Sequence, residues 1–246
     1  RVSTKLYSGT LYELAMSTHP VTSVQVVAGS GEWIDKIRAE LDSDPCLLQG
    51  FPLKTTAMDK YLGMWYVSGS YKQTIDKNVK AKHGLMQAAA VGIRVMCDTS
   101  EIKRFGKAAA QKLLAQSQIV PVCLYGTQAW IGIKEEQYKS LENSFRDCLT
   151  TIMSVPPTTN YAALLKVNGL IHMEQFIDMV KLKMWNHKLN VKRSGRMYRV
   201  LLYEIVHDIK GGLAEDLTNL CRKYHLRDIC RVELDPEVIT RNCKQE

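Results

Sequence analysis

From Ile75 to Ile93 the apolar residues Ile75, Val79, Met86, Ala90 and Ile93 recur at steps of four, seven, four and three. That is the period of one face of an α-helix, sustained for about five turns. A stretch with this period cannot sit in a β-sheet, where side chains alternate faces at every residue. The centre of the chain must therefore be helical, with one stripe covered by other elements. Capping chemistry predicts what those elements are. Asp98-Thr99-Ser100-Glu101 opens a second helix through Leu113 and Leu114. A third covers Glu135 to Ile152, closed by Pro156-Pro157, and a short fourth runs from Tyr161 to Val167 and stops at Asn168-Gly169. The fifth, from about Met173 to Leu189, puts Met173, Ile177, Val180 and Met184 on one side. Further helices are expected over Met197 to Asp208 and Leu213 to Arg222.

The residues before Tyr71 read differently. Val21 to Ala28 is β-branched and short, and Gly29-Ser30-Gly31 ends it, which predicts a strand. Glu32 to Leu41 carries Trp33, Ile34, Ile37 and Leu41 at helical spacing. Cys46-Leu47-Leu48 and Phe51-Pro52-Leu53, around Gln49-Gly50, predict a small hairpin, and Tyr61 to Val67 is an aromatic-rich run ended by Ser68-Gly69-Ser70. The expected fold class is α+β, mostly α, with a small β-containing N-terminal piece (1–70) followed by helices over 71–155 and 156–246.

Composition narrows the function classes. Apolar residues are 46% and there are only 15 Gly and 7 Pro, which excludes a disordered or fibrous chain. No stretch approaches the ~18 apolar residues that a membrane span needs. Seven cysteines, an odd number without framework spacing, point to buried thiols in a reducing, intracellular setting. The first residue is Arg1 and nothing resembling a signal peptide follows, so a processed chain or the tail of a longer one is expected.

The net charge of +8 favours a polyanionic partner. It is concentrated in two places. Lys72, Lys77, Lys80, Lys82, Arg94, Lys103, Arg104, Lys107 and Lys112 face only Asp76, Asp98 and Glu101 in the same stretch, and Lys181, Lys183, Lys188, Lys192, Arg193, Arg196 and Arg199 occupy a stretch with no acid. On a continuous helix Lys181, Trp185, Lys188 and Lys192 share one stripe. Both clusters read as phosphate-contacting surfaces, or as solvated helix faces with Trp185 in the core. Cys221, His225, Cys230 and Cys243 are four soft ligands, but they lack the C-x2–4-C knuckle of structural zinc sites and read as buried thiols. No nucleophile elbow, phosphate-binding glycine loop or His–Glu zinc pair is present, and His207 beside Asp208 is an unremarkable neighbour.

Lys60-Tyr61-Leu62-Gly63 is followed by the basic amphipathic helix, then by Ile119-Val120-Pro121-Val122-Cys123-Leu124-Tyr125-Gly126 and Trp130. Leu141-Glu142, Phe145-Arg146, Ser154-Val155-Pro156, Ala163-Leu164-Leu165 and Asn168-Gly169-Leu170 come next. In this order and spacing, over roughly residues 52–229, they resemble the region after the palm in reverse transcriptases of non-LTR retrotransposons. There a "KYLG" strand leads into the thumb, and a later helix ends in an "ilPvLLYGsEtW"-like segment. The chain departs from that pattern at Gln128-Ala129, where the family has an acidic residue before the Trp. The aromatics Tyr61, Leu62, Trp65, Tyr125 and Trp130 are equally expected as core residues, with Gly63 and Gly126 at turns.

The resemblance implies a mechanism of division. Such polymerases hold two Mg²⁺ on paired palm aspartates. This chain has no Asp-Asp dipeptide, so those carboxylates would lie upstream of Arg1, with Lys5 a candidate for the lysine that follows them, or simply an exposed strand lysine. The chain is thus expected to bind RNA–DNA or RNA duplex beside an upstream palm and fingers, with no cofactor and no polymerase activity of its own and no membrane partner. Lys60, Tyr61, Leu62 and Gly63 would form the primer-positioning strand. Lys72, Lys77, Lys80 and Lys82 would face the duplex, with Lys181, Lys188 and Lys192 further away. A nuclear or cytoplasmic setting follows from the same resemblance. Two readings from other classes stay open: a basic helical interaction protein whose charge serves solubility, and a zinc-stabilised adaptor.

Overall fold

The structure is a computed structural model that describes residues 24–26, 36, 39–41, 43–44, 47–48, 51–52, 54–61, 64–67, 71–191, 196–230 and 232–245. The chain divides into two compact units, 1–78 and 79–246.

Among the described residues the N-terminal unit holds three two-stranded pairings. Strand β1 (Val24–Val26) runs parallel to β4 (Lys54–Thr56), and β2 (Leu47–Leu48) pairs antiparallel with β3 (Phe51–Pro52), the small hairpin expected there. Strands β5 (Met58–Tyr61) and β6 (Met64–Val67) form a second hairpin in which Lys60 stands opposite Trp65 and Tyr61 opposite Met64. Leu62 and Gly63 lie outside the described residues, as does Lys5. The segment expected as a helix over 32–41 is described at 36 and 39–41, where it is helical. Helix α1 (Tyr71–Cys97) begins in this unit and caps the outer edge of the hairpin. An Asn side chain carries both a donor and an acceptor, so it can stand in for a missing strand. Asn78 does this: the Trp65 N–H donates to its Oδ1 at 2.8 Å, and its Nδ2 donates to the Trp65 carbonyl at 2.8 Å. Thr74 repeats the device at Val67, accepting from the amide at 3.2 Å and donating to the carbonyl at 3.3 Å.

The second unit is helical. The stripe read from the sequence is the buried face of α1: Ile75, Val79, Met86, Ala90, Ile93 and Cys97 are each at most 4% exposed. Helix α2 (Ser100–Leu114) is kinked at Gly106, whose φ of 120° only glycine adopts easily. Beyond Leu114 the helical path continues through one π-type turn (Ala115–Ile119) into α3 (Val120–Leu124), where Pro121 has no N–H to return to the preceding turn. Gly126 then turns the chain at φ 77° into a 3₁₀ turn over Thr127–Ala129.

Helix α4 (Glu135–Met153) ends with Ser154 in the left-handed region. Helix α5 (Tyr161–Asn168) starts where the Asn160 side chain accepts from the Ala163 amide and stops at Gly169, φ 62°. Then come α6 (Met173–Val191), α7 (Arg196–Val206), α8 (Leu213–Lys223) and α9 (Pro236–Gln245). Helix α9 was not anticipated. Its signal is present in Pro236 at the first turn and the Ile239/Cys243 spacing, and both side chains are fully buried.

Helix α6 is the axis of this unit. Its expected one-sided stripe is corrected by the structure: Met173 and Ile177 are buried, Val180 and Met184 only half-buried, and Met179, Leu182, Trp185 and Leu189 are buried as well. The cause is neighbours on several sides, since α4, α8, α9 and the 3₁₀ turn all pack on it. Each such apolar side chain taken from water contributes about 1.5–3 kcal/mol. Helices from both 71–155 and 156–246 thus build one unit. Mostly helical with a small stranded N-terminal part, the chain is α+β in the sense expected. Among the described residues no helix is long and apolar enough to cross a membrane.

Candidate nucleic-acid interface

A helix with one buried stripe usually carries charge on the opposite one. Helix α1 does not. Between Lys82 and Arg94 there is no Lys, Arg, Asp or Glu. Advancing 100° per residue, the face opposite the core consists of Gly84, Ala88, Val91, Gly92 and Val95, with Leu85 at its margin. All six are exposed, Leu85 at 57%, Val91 at 53% and Val95 at 65%. A Cβ added at Gly84 or Gly92 would meet nothing within 4 Å. Lys80, exposed, stands at the N-terminal end of this face, and Lys72 and Lys77 precede it on the same helix.

The N-terminal unit has a cationic point of its own. Lys60 projects from β5 with its ammonium 5.7 Å from the Trp65 ring centroid, and Lys77 reaches the same ring at 5.1 Å. Lys60 is exposed while Lys77 and Trp65 are half-buried, so the indole acts as a spacer holding two ammonium groups on a fixed backbone. Tyr61 closes β5.

Two of the lysines expected to face a polyanion are buried and engaged elsewhere. Lys82 is 6% exposed. Its ammonium donates to the Val122 carbonyl at 3.1 Å and the Tyr125 carbonyl at 2.5 Å, where the last carbonyls of α3 lack helical partners. It also lies 5.7 Å from the Trp130 ring. Burial pulls its pKa down to about 8, and the neighbouring Cys123 thiol is pushed up to about 12, chiefly by burial. Lys181, 1% exposed, donates to the Trp130 carbonyl and pairs with Asp216. Among the described residues of the Lys181, Trp185, Lys188 and Lys192 stripe there is therefore one exposed cation. Trp185 is 6% exposed with its Nε1 donating to the Gln128 carbonyl at 3.1 Å, Lys188 alone is exposed, and Lys192 lies outside the described residues. The physical reason is the same in both corrections: a lysine on a helix already covered on several sides satisfies a carbonyl or a carboxylate rather than water.

Together these contacts explain the segment 119–130. Lys82 from α1 and Lys181 and Trp185 from α6 hold its carbonyls, and Trp130 is 2% exposed as a core aromatic. Tyr125, expected in the core, is 55% exposed.

Sequence reasoning missed the polar centre of the helical unit. Asp178, fully buried on α6, accepts from the Tyr138 hydroxyl at 2.5 Å, the Tyr224 hydroxyl at 2.8 Å and the Lys223 ammonium at 2.8 Å. Lys223 also donates to Glu174 at 2.5 Å. Burial and the Asp178 charge raise the pKa of both tyrosines. Burial pulls Lys223 down, but Asp178 and Glu174 outweigh it and the net shift is upward. The only sequence signal was an acid inside the apolar run Ile177–Met179. Cys221 and Cys243 belong to the same core, Cys230 packs against it, and His225 is exposed at a left-handed turn. Burial pushes the Cys243 thiol up to about 12. Among the described residues no three His, Cys, Asp or Glu side chains are grouped to hold a metal ion. The Mg²⁺ implied by the resemblance does not fit these residues, because no paired aspartates stand among them.

No family model, curated protein or solved structure matches the chain.

Proposed function

We propose that this chain is the C-terminal part of a retroelement RNA-directed DNA polymerase, gripping RNA–DNA or RNA duplex while residues outside it carry out nucleotidyl transfer. The observation that carries the reading is the solvent face of α1. An A-form duplex offers a wide, shallow minor groove of sugar edges and 2′-hydroxyls. Glycine and alanine let a helix backbone approach such a surface, where long charged side chains would hold it off. Exposed Lys80 at the end of that face, with Lys72 before it, supplies phosphate contacts that fix register without reading sequence. Lys60 and Lys77 beside Trp65 give the N-terminal unit a phosphate contact of its own. A nuclear or cytoplasmic, reducing compartment suits the buried thiols of Cys97, Cys123, Cys148, Cys221 and Cys243.

One observation favours a second reading, a helical interaction protein: exposed Leu85, Val91 and Val95 would also suit a partner helix. Fluorescence anisotropy of a labelled RNA–DNA hybrid, titrated over a salt series, separates the two. Steeply salt-dependent binding that Ala88→Glu weakens is expected. Binding that is absent at low salt, or indifferent to Ala88→Glu, would overturn the duplex reading. Primer extension with Mg²⁺ by the purified 246-residue chain would overturn its non-catalytic part.

A further inference from the structure

Asn168-Gly169 is the single Asn-Gly pair in the chain, and it closes α5. An asparagine followed by glycine can react with its own backbone. The amide nitrogen of the glycine attacks the side-chain carbonyl carbon, and no Cβ on the glycine stands in the way. Ammonia leaves as a cyclic imide forms. Water then opens the imide at either carbonyl, giving aspartate or its isomer, in which the main chain runs through the side-chain carbon. Water is consumed and ammonia released, with no oxidant, reductant or other reactant.

The fold keeps the two reacting atoms apart. Asn168 is 0% exposed. Helical side chains lean toward the N-terminus, and its Nδ2 donates back to the Leu164 carbonyl at 2.7 Å, which draws Cγ away from the nitrogen that follows it. That nitrogen is occupied too: the Gly169 N–H returns to the Lys166 carbonyl at 3.1 Å, with the glycine at φ 62°. The Asn168 carbonyl accepts from Gln116 Nε2 at 2.7 Å, which ties the corner to the π-type turn. The side-chain Oδ1 is buried and meets no donor.

We propose that Asn168-Gly169 is a one-way modification site gated by the opening of α5. This helix has 8 residues, too few to persist in water alone, and it packs on α4. Its release is therefore a local event that costs less than unfolding the whole unit. Once released, the glycine nitrogen reaches Cγ and the reaction runs. The product does not fit back. An aspartate at 168 sets an oxygen against the Leu164 carbonyl where Nδ2 donated before, in a buried place without a donor. The ammonium of exposed Lys112, 3.3 Å from where a Cβ on Gly169 would stand, offsets part of the charge but gives that carbonyl no donor. The isomer lengthens the main chain at the corner and displaces the Gly169 turn. A chain that has opened here is marked and held open.

Mass spectrometry of the peptide around residue 168 tests this by following ammonia loss in native buffer and in urea, at one temperature and one mildly alkaline pH. Conversion should be about tenfold or more slower in the folded chain. Asn160→Ala removes the α5 cap and should speed the folded reaction roughly fivefold, leaving the rate in urea unchanged. Gln116→Ala, which cuts the tie to the π-type turn, should act the same way. Ile239→Val, a comparable loss at a fully buried position of α9, should leave the folded rate unchanged. Asn168→Asp should melt below the wild type by circular dichroism. Equal rates in buffer and urea, or no conversion in either, would overturn the gated site. A folded rate indifferent to both Asn160→Ala and Gln116→Ala, or raised as much by Ile239→Val, would overturn α5 as the gate. An Asn168→Asp chain as stable as the wild type would overturn the one-way step.

Discussion

Helices α1 and α6 carry the same kind of sequence, apolar positions at helical spacing interleaved with lysines, yet they do opposite things with it. Helix α1 buries one stripe and leaves its far side open, so Lys80 stays in water. Helix α6 is covered on several sides, and its most buried lysine, Lys181, is 1% exposed and bound to Asp216 and the Trp130 carbonyl. Charge density along the chain favours the α6 region, with its acid-free run from Lys181 to Arg199, as the polyanion site. Charge displayed at the surface favours α1. What a lysine does is decided by how many sides of its helix are occupied.

The strongest way to break that comparison is to remove the buried cation. Lys181→Met should destabilise the helical unit by about 3–5 kcal/mol, because it leaves Asp216 and a carbonyl without their donor. The melting temperature should fall by about 10 °C, read by circular dichroism. An unchanged melting curve would place Lys181 with the solvated lysines after all.

Lys82 is the next largest. Its folded pKa of about 8 lies below the ordinary 10.5, so between those values the unfolded chain binds the proton and the folded one does not. Stability from this group therefore rises with pH, by up to about 1.4 kcal/mol per unit across that window. The raised tyrosines and Lys223 pull the other way at high pH, so the signal is the difference between wild type and Lys82→Met in urea titrations at pH 8 and pH 10. A difference that does not grow with pH would mean an exposed Lys82.

The surface lysines give a smaller effect on stability but a clear one on binding. Replacing Lys72, Lys77 and Lys80 by Gln should flatten log affinity against log salt by roughly two to three, whereas Lys188→Gln should change it by about one or less. Melting temperatures should hardly move. A larger slope change at Lys188 would return the interface to α6. The smallest effect sharpens the comparison most. Gly84→Ala should stabilise α1 by up to about 1 kcal/mol, since the site is open and helical, while lowering duplex affinity. Higher affinity along with higher stability would argue against close approach at that face.

Local signals carried much of the fold. The α1 stripe, the Gly169 stop of α5 and the hairpin around Gln49-Gly50 were legible because each depends on residues a few positions apart; the Asn160 cap of α5 was not read. The burial of Lys82 and Lys181 was not legible, because their partners Val122, Tyr125 and Asp216 lie 35 to 43 residues away and lysine spacing alone says nothing of them. The π turn after Leu114 has no sequence signature of its own. At the candidate interface, the lysines were legible and the missing charge between Lys82 and Arg94 was in plain view, but its meaning required knowing which face of α1 the core takes.

The Asp178 cluster bears on the order in which the protein can be made. A ribosome delivers Asp178 45 residues before Lys223 and 46 before Tyr224. At about 5–20 residues per second, the carboxylate at the middle of α6 waits roughly two to nine seconds for its ammonium. Asn186 waits longer still, for a carbonyl at Leu234. Until those residues emerge, α6 cannot bury its polar centre without leaving a charge uncompensated. The nascent helical unit must stay open, with its apolar sides in reach of chaperones, until the last part of the chain arrives to close it.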